Sequence, residues 1–293
     1  MMMKTLPFIP SATLLLLINV FVISRSGETF SDSFARHKMF PLSAAAYSTR
    51  PQACLSRALP GSQLVGQTTV RCDFINDTCD AYVAVSVADQ AVIVSFRGTT
   101  GSEQLILEIV ESATRKVSFA AGGHVSEYFF NGFNDLWKAG LGASLTRTIH
   151  AFPSYQLWVT GHSLGGAMAS LCAAYIVHAQ IVSVEQVRVV TFGQPRTGDP
   201  VYAQSFMDML PSSVFRVTHR FDMVPHAPPI WLGYKHHTTE VFYPNDMAEG
   251  AAFKVCARQE DPNCSLSLFN VSTPDHVFYY GHQVVNYGLG GCQ

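Results

Sequence analysis

The chain has 293 residues and 48% of them are hydrophobic, so it is long enough to bury one large core. The formal net charge is −2, and no block of basic residues stands out along the sequence. This balance argues against a nucleic-acid partner and against electrostatic docking on anionic membranes.

The first residues have the layout of a secretory signal peptide. Lys4 gives a positive start, an apolar run follows from Leu6 to Ile23, and small residues around Ser26 offer a cleavage site. We predict a signal peptide over residues 1–26 and a secreted mature chain, residues 27–293, that forms one domain without a transmembrane segment. An uncleaved signal anchor is the alternative, but the run is short for a spanning helix and Pro10 interrupts its start.

Cysteine usage agrees with export. Two pairs of cysteines are close in sequence and are typical of local loop bridges, and a third pair would join the two ends of the mature chain. The predicted disulfides are Cys72–Cys79, Cys256–Cys264 and Cys54–Cys292, with Cys172 left as a free thiol.

Sequons predict glycosylation at Asn76, Asn263 and Asn270. Neither cysteines nor histidines have the spacing of a metal site, so no metal is expected.

Strands and helices alternate along the rest of the chain. A strand hairpin is predicted from Ala81 through a turn at Asp89-Gln90 to Phe96. Further strands are predicted at Leu157–Val159, Val187–Phe192 and Val214–Thr218, and helices at Gly132–Arg147, Leu164–Gln180 and Pro200–Leu210. This alternation indicates an α/β fold in which helices cover both faces of a largely parallel sheet.

The pentapeptide Gly161-His162-Ser163-Leu164-Gly165 is the strongest functional signal. It lies between a predicted strand and a predicted helix, which is the context of a nucleophile elbow. Such an elbow holds its serine in a strained conformation, and glycines two residues away on each side relieve the crowding. We therefore predict Ser163 as a nucleophile near the positive end of a helix, and expect His162 to shape the elbow. A plain glycine-rich turn is the alternative.

A serine hydroxyl needs a base to take its proton, and the base needs a carboxylate to orient it. In α/β-hydrolases the acid follows the serine in the chain, and the histidine follows the acid. Asp222 comes after a predicted strand and is the best acid, with Asp199 as its main rival. His276 precedes an apolar run and is the best base, with His282 next. The remaining candidates are Asp208, Asp246 and Asp261 as acids, and His226, His236 and His237 as bases.

Several blocks of the sequence together resemble the class 3, or fungal lipase-like, lipases over most of the mature chain. These blocks are Val92–Thr99, Gly132-Phe133, Val159–Ala167, Thr191–Gly198, Arg216–Pro229 and Asp275–Tyr280. The resemblance implies an α/β-hydrolase fold with a triad of Ser163, Asp222 and His276. It also implies an oxyanion hole made by the backbone N–H groups of Thr99 and Leu164, with the Thr99 hydroxyl as a further donor.

Members of this family often carry a lid just after the oxyanion strand, and the matching stretch here is residues 101–112. Its apolar residues fall on one helical face: Leu105, Ile106, Ile109 and Val110. Such a helix would cover the site in water and turn toward a lipid surface. A plain core helix fits the same pattern, and the stretch lacks the tryptophan that is common in the family's lids.

These features predict a secreted serine carboxylic-ester hydrolase without a cofactor, and within that class a triacylglycerol lipase. Its partners would be a lipid or other ester substrate and, transiently, a lipid surface. One alternative is a phospholipase, a feruloyl esterase or a small-ester esterase with the same triad. Another is an inactive lipid-binding relative. The elbow does not separate the ester classes, because acyl-chain specificity is set by the groove and the lid.

Overall fold

A computed structural model of the chain describes residues 29–72, 78–99, 114–268 and 272–293. The predicted signal peptide, the predicted lid at residues 101–112, and the sequons at Asn76 and Asn270 lie outside these residues. None of the helices within the described ranges is both long and apolar enough to cross a membrane.

An eight-stranded sheet forms the centre of the fold, and two short hairpins lie outside it. The strands are β1 (Gln63–Arg71), β2 (Thr78–Ser86), β3 (Ala91–Phe96), β4 (Lys116–Ser118), β5 (His124–Ser126), β6 (Gln156–His162), β7 (Val187–Phe192), β8 (Val214–His219), β9 (Glu240–Tyr243), β10 (Lys254–Cys256), β11 (Phe278–Tyr279) and β12 (His282–Gln283). The sheet order is β1-β2-β3-β6-β7-β8-β9-β10. Strands β3, β6, β7, β8 and β9 pair in parallel, and the outer strands pair antiparallel. The predicted hairpin and parallel centre are confirmed, whereas the sequence reading missed β1, β9 and β10.

Helices cover the sheet on both faces, as predicted. They are α1 (the consecutive segments Asp32–Phe34, Ala35–Met39 and Phe40–Ala45), α2 (Gln52–Ala58), α3 (Glu127–Leu136), α4 (Gly142–Ala151), α5 (Leu164–His178), α6 (Pro200–Met209), α7 (Pro274–Val277) and α8 (Val284–Leu289). The predicted single helix over Gly132–Arg147 is divided between α3 and α4. The division falls at Gly140, whose φ of 128° is not helical and is open to glycine alone.

Side chains of the central strands alternate between two hydrophobic cores. In β3, Val92 and Val94 face the core built with α3, α5 and α6, whereas Ile93 faces the core built with α1 and α2. Helix α5 is almost wholly buried, which accounts for its alanine-rich apolar sequence. The two cores fix the carboxyl ends of the parallel strands, and the loops that carry the candidate site leave the sheet from there.

All three predicted disulfides are present: Cys54–Cys292, Cys72–Cys79 and Cys256–Cys264. The first joins α2 to the end of the chain, and the last closes a loop that exposes Asn263. Glycosylation of Asn263 stays a prediction. Cys172 is a buried free thiol whose pKa is raised by burial, so the sulfur is kept unreactive.

Candidate active site

The serine elbow lies between β6 and α5. Ser163 adopts φ 60° and ψ −133°, a strained conformation for a residue with a side chain. A Cβ atom on Gly161 would lie 2.3 Å from the carbonyl oxygen of Gly165, and one on Gly165 would lie 2.1 Å from that of Phe96. Both glycines are therefore needed for the close approach of β6, α5 and the end of β3, which explains the spacing of the motif.

The segment leading to Thr99 lies against this elbow. A Cβ atom on Gly98 would be 3.0 Å from Cβ of Ser163 and 2.7 Å from the carbonyl oxygen of His162. Thr99 follows directly and is buried. Leu164 is the first residue of α5, so its N–H has no acceptor within the helix. The chain thus brings the Gly98-Thr99 segment and the start of α5 to the same serine.

His276 and Asp222 form a buried pair. Nδ1 of His276 donates to Oδ1 and Oδ2 of Asp222 at 2.9 and 3.0 Å. The carboxylate also accepts from the Val224 N–H at 2.9 Å and from the Tyr279 hydroxyl at 2.7 Å. Burial by itself raises the pKa of Asp222, but His276, Tyr279 and the Val224 N–H together bring that pKa below its usual value. Asp222 is therefore a carboxylate that fixes the proton on Nδ1 and leaves Nε2 of His276 as an acceptor.

The reactive atoms of Ser163 and His276 are both buried. Oγ of Ser163 and Nε2 of His276 have no hydrogen-bond partner among the described residues, so they are not bonded to each other or engaged elsewhere in that part of the chain. His162, the neighbour of Ser163, stacks on the His276 imidazole with ring centroids 4.6 Å apart. The serine and the histidine therefore belong to one site.

His162 acts on this site through its hydrogen bonds. Its Nε2 donates to the backbone carbonyl of His276 at 2.8 Å, and its Nδ1 accepts from the Tyr47 hydroxyl at 2.9 Å. Burial and the neighbouring His276 lower the pKa of His162 to about 3, although the bond to the His276 carbonyl and the charge of Asp222 oppose them. His162 is therefore a neutral positioning residue. Tyr47 lies far upstream in a stretch without a motif, and the sequence reading missed it.

Gly193 packs directly on the acid and the base. It follows β7 with φ 55°, and its N–H donates to the carbonyl of Val217 at 3.0 Å. A Cβ atom here would lie 2.8 Å from Oδ2 of Asp222 and 2.9 Å from Nδ1 of His276. Only glycine leaves room for this pair at the end of β7. The sequence reading singled out the surrounding block, Thr191–Gly198, but not this role of its glycine.

Comparison with known proteins agrees with this geometry. The profile of the class 3 lipase family matches residues 93–231, and a lipase of Caenorhabditis elegans is 36% identical over 288 residues, covering 87% of this chain and 80% of that protein. The chain belongs to the class 3 lipase family. This class 3 lipase is also 31% identical to the lipase of Rhizomucor miehei, over 73% of its own length and 58% of that lipase. The solved Rhizomucor miehei triacylglyceride lipase superposes with a TM-score of 0.74 at 26% identity, covering 90% of this chain and 98% of that one. The predicted family, the α/β-hydrolase fold and the class of carboxylic ester hydrolases are thereby confirmed.

Rival acids and bases of this class 3 lipase are engaged elsewhere. Asp199 caps α6 by accepting from the Tyr202 N–H at 2.8 Å and pairs with His124 at 3.0 Å. His282, in β12, stacks on Tyr287 with ring centroids 4.0 Å apart. Neither side chain contacts the His276–Asp222 pair, because both are held by other partners.

Three other histidines bond to backbone carbonyls. His219 bonds to the carbonyl of Asp275, His236 to that of Pro225 and His237 to that of Thr238. Across residues 29–72, 78–99, 114–268 and 272–293, no group of three or more histidines, cysteines and acidic residues is arranged to hold a metal ion.

A buried ion pair braces the loop after Asp222. Arg196 donates to Glu260 from Nε at 2.9 Å and from a terminal nitrogen at 2.7 Å. Its other terminal nitrogen donates to the backbone carbonyls of His226 and Pro228. Glu260 lies in the loop closed by Cys256–Cys264, so this disulfide loop supports the segment that carries the acid. No sequence motif indicated the pair.

Proposed function

We propose that this class 3 lipase is a secreted triacylglycerol lipase that cleaves ester bonds through an acyl-enzyme on Ser163. The observation that carries the proposal is the buried His276–Asp222 pair beside a strained serine, with Oγ of Ser163 and Nε2 of His276 free of other bonds in the described chain. The substrate class is supported by the structural relative from Rhizomucor miehei, which is a triacylglyceride lipase.

In the proposed mechanism, Nε2 of His276 takes the hydroxyl proton as Ser163 attacks the ester carbonyl. A hydrogen bond between these two atoms forms when substrate enters, since such catalytic bonds are often long or poorly aligned in free enzymes. The backbone N–H groups of Thr99 and Leu164 stabilise the oxyanion. His276 then gives the proton to the leaving alcohol. Water attacks the acyl-enzyme with the same help from His276, which releases the carboxylic acid product and restores Ser163. Asp222 stabilises the imidazolium throughout.

Export and domain organisation are part of the proposal. Residues 1–26 act as a signal peptide, and residues 27–293 form one α/β-hydrolase domain. Three disulfides in a chain of this size fit an oxidising compartment. The predicted lid at residues 101–112 would control access to the site.

The first test is the variant Ser163→Ala. It should remain folded and secreted, lose hydrolysis of a short nitrophenyl ester by about 10⁴-fold or more, and resist a fluorophosphonate probe that labels the parent. Thr99→Ala is the matched comparison, because it removes one hydroxyl and keeps the backbone N–H, so a smaller loss is expected. Full activity of Ser163→Ala would contradict the mechanism.

The second test is a substrate panel of triacylglycerol, phospholipid and short nitrophenyl esters. The proposal expects a triacylglycerol to be hydrolysed at least as well as a phospholipid of the same acyl chain. A strong preference for phospholipid would replace the proposed substrate class and leave the triad chemistry unchanged.

A further inference from the structure

An exposed apolar turn follows the loop that carries Asp222. Within the short helix Ile230–Leu232, Trp231 is 81% exposed and Ile230 is 44% exposed. The two other tryptophans differ sharply, since Trp158 is 3% exposed and Trp137 is half-buried. A tryptophan held this far into water presents a large apolar surface to a partner.

The backbone of this turn is fixed from both sides. Ahead of it, Arg196 donates to the carbonyl of Pro228 at 3.1 Å, and its ion pair with Glu260 holds that guanidinium in place. Behind it, Nζ of Lys116 donates to the carbonyls of Leu232 and Gly233, both at 2.9 Å. Trp231 is thus displayed by an ordered turn, and binding through it costs little conformational entropy.

The turn also lies at the edge of the sheet that carries the candidate site. It follows Asp222 in the connection from β8 to β9, and Arg196, just after the carboxyl end of β7, donates to the Pro228 carbonyl that precedes the turn. Val87, in the turn between β2 and β3, is similarly exposed at 63% but precedes the amino end of β3, at the opposite edge. An ester delivered by a surface that touches Trp231 would therefore arrive on the side of Ser163.

One cationic side chain is bonded to the base of the turn that carries Ile230 and Trp231, and a second belongs to the preceding residue in the sequence. Lys116 is at the base of this turn, and the side chain of Arg115 is 82% exposed, with Nε 3.2 Å from the carboxylate of Glu127. An aromatic ring at the tip with cations behind it matches the order of groups across a lipid interface, where the ring lies among headgroups and the cations meet phosphates. We propose that Trp231 and Ile230 insert into a phospholipid-coated surface and anchor the lipase there, an inference that rests on the proposed lipase function.

A lipid surface fits this turn better than a protein partner. Two exposed side chains fall far short of the roughly 800 Å² per partner that a stable protein interface buries. Because the chain has a net charge of −2, its affinity for a lipid surface comes mainly from the apolar side chains of Ile230 and Trp231 and not from charge.

The test uses phosphatidylcholine vesicles and the Ser163→Ala chain, which does not consume esters. Vesicles should shift the tryptophan emission to the blue and shield it from iodide, because Trp231 is the strongly exposed tryptophan. Trp231→Ala should lower the partition coefficient about tenfold, the scale of burying one large aromatic side chain. Trp231→Phe should recover part of it, and Val87→Ala, the matched exposed apolar residue at the opposite edge, should bind like the parent.

Activity separates this proposal from the function on which it rests. With Ser163 present, Trp231→Ala should hydrolyse a soluble nitrophenyl ester within about twofold of the parent but lose about tenfold on a phosphatidylcholine-stabilised emulsion. A parent chain that hydrolyses neither substrate would refute the lipase function, whatever the vesicles show.

Three results would overturn the anchor itself. The first is vesicle binding by Trp231→Ala that equals that of the parent. The second is an equal loss on soluble and emulsified esters, which would make Trp231 part of the substrate groove. The third is an emission shift that grows with protein concentration in the absence of lipid, which would make the turn a contact between two copies of the chain.

Discussion

Gly193 offers a sharp test of how closely the acid and base are held, through the variant Gly193→Ala. The new methyl group would lie 2.8 Å from Oδ2 of Asp222 and 2.9 Å from Nδ1 of His276. Ordinary contact begins near 3.4 Å, so the imidazole or the carboxylate must retreat by about half an ångström. The substitution therefore displaces the proposed base without removing any catalytic group.

Two effects set the size of the result. Alanine at φ 55° costs about 1 kcal/mol of folding free energy, because a Cβ atom disfavours the left-handed region. Displacement of a proton acceptor by a fraction of an ångström reduces turnover steeply, and a full ångström costs about a hundredfold. We expect kcat/KM for a soluble ester to fall between about tenfold and about a hundredfold, which is about 1.4–2.7 kcal/mol of transition-state stabilisation.

The control for this variant is Gly250→Ala. Gly250 has φ 77°, and a Cβ atom there would meet nothing within 4 Å, so it carries the backbone cost without the collision. Urea unfolding gives the stability of both variants, and initial rates on a nitrophenyl ester give their activity. If both variants lost similar stability and kept similar activity, the close packing of Gly193 on the pair would have no catalytic consequence and the reasoning would be wrong.

Three further outcomes are expected. Tyr279→Phe removes a hydroxyl that donates to Asp222 at 2.7 Å, and should lower the free energy of unfolding by about 2 kcal/mol and kcat by about tenfold. Glu260→Gln leaves the buried Arg196 without its counter-ion, and should lower the free energy of unfolding by about 3 kcal/mol in urea titrations. Acid should destabilise the folded chain, because the unfolded state protonates His162 below pH 6.5 whereas the folded state excludes that proton until about pH 3. The contribution is about 2 kcal/mol lost by pH 5, seen as a lower urea midpoint.

Each of these expectations has a result that contradicts it. Unchanged kcat in Tyr279→Phe would mean that its hydroxyl does not orient the acid. Equal urea midpoints for Glu260→Gln and the parent would remove the ion pair as a brace. A free energy of unfolding that stays level from pH 7 to pH 5, or a His162→Gln variant with the same pH dependence as the parent, would show that His162 is not buried as a neutral imidazole.

The sequence by itself determined the features that depend on neighbouring residues. The alternation of strands and helices predicted the α/β class, and the glycine spacing around Ser163 predicted the elbow, since both are set by local backbone geometry. Position along the chain suggested the three disulfide pairings, but the contacts of the folded chain decided them. The flanking strands β1, β9 and β10 were missed, because their burial depends on what lies beside them in the sheet.

Only the tertiary structure decided which distant side chains meet. Tyr47, just after α1, hydrogen-bonds to His162. Glu260, in the loop closed by Cys256–Cys264, forms an ion pair with Arg196. Asp199 has the residue type and chain position of an acid, yet it caps a helix. Such contacts arise from packing between elements far apart in the chain. A periodicity or a motif records only what lies within a few residues, so neither could have predicted them.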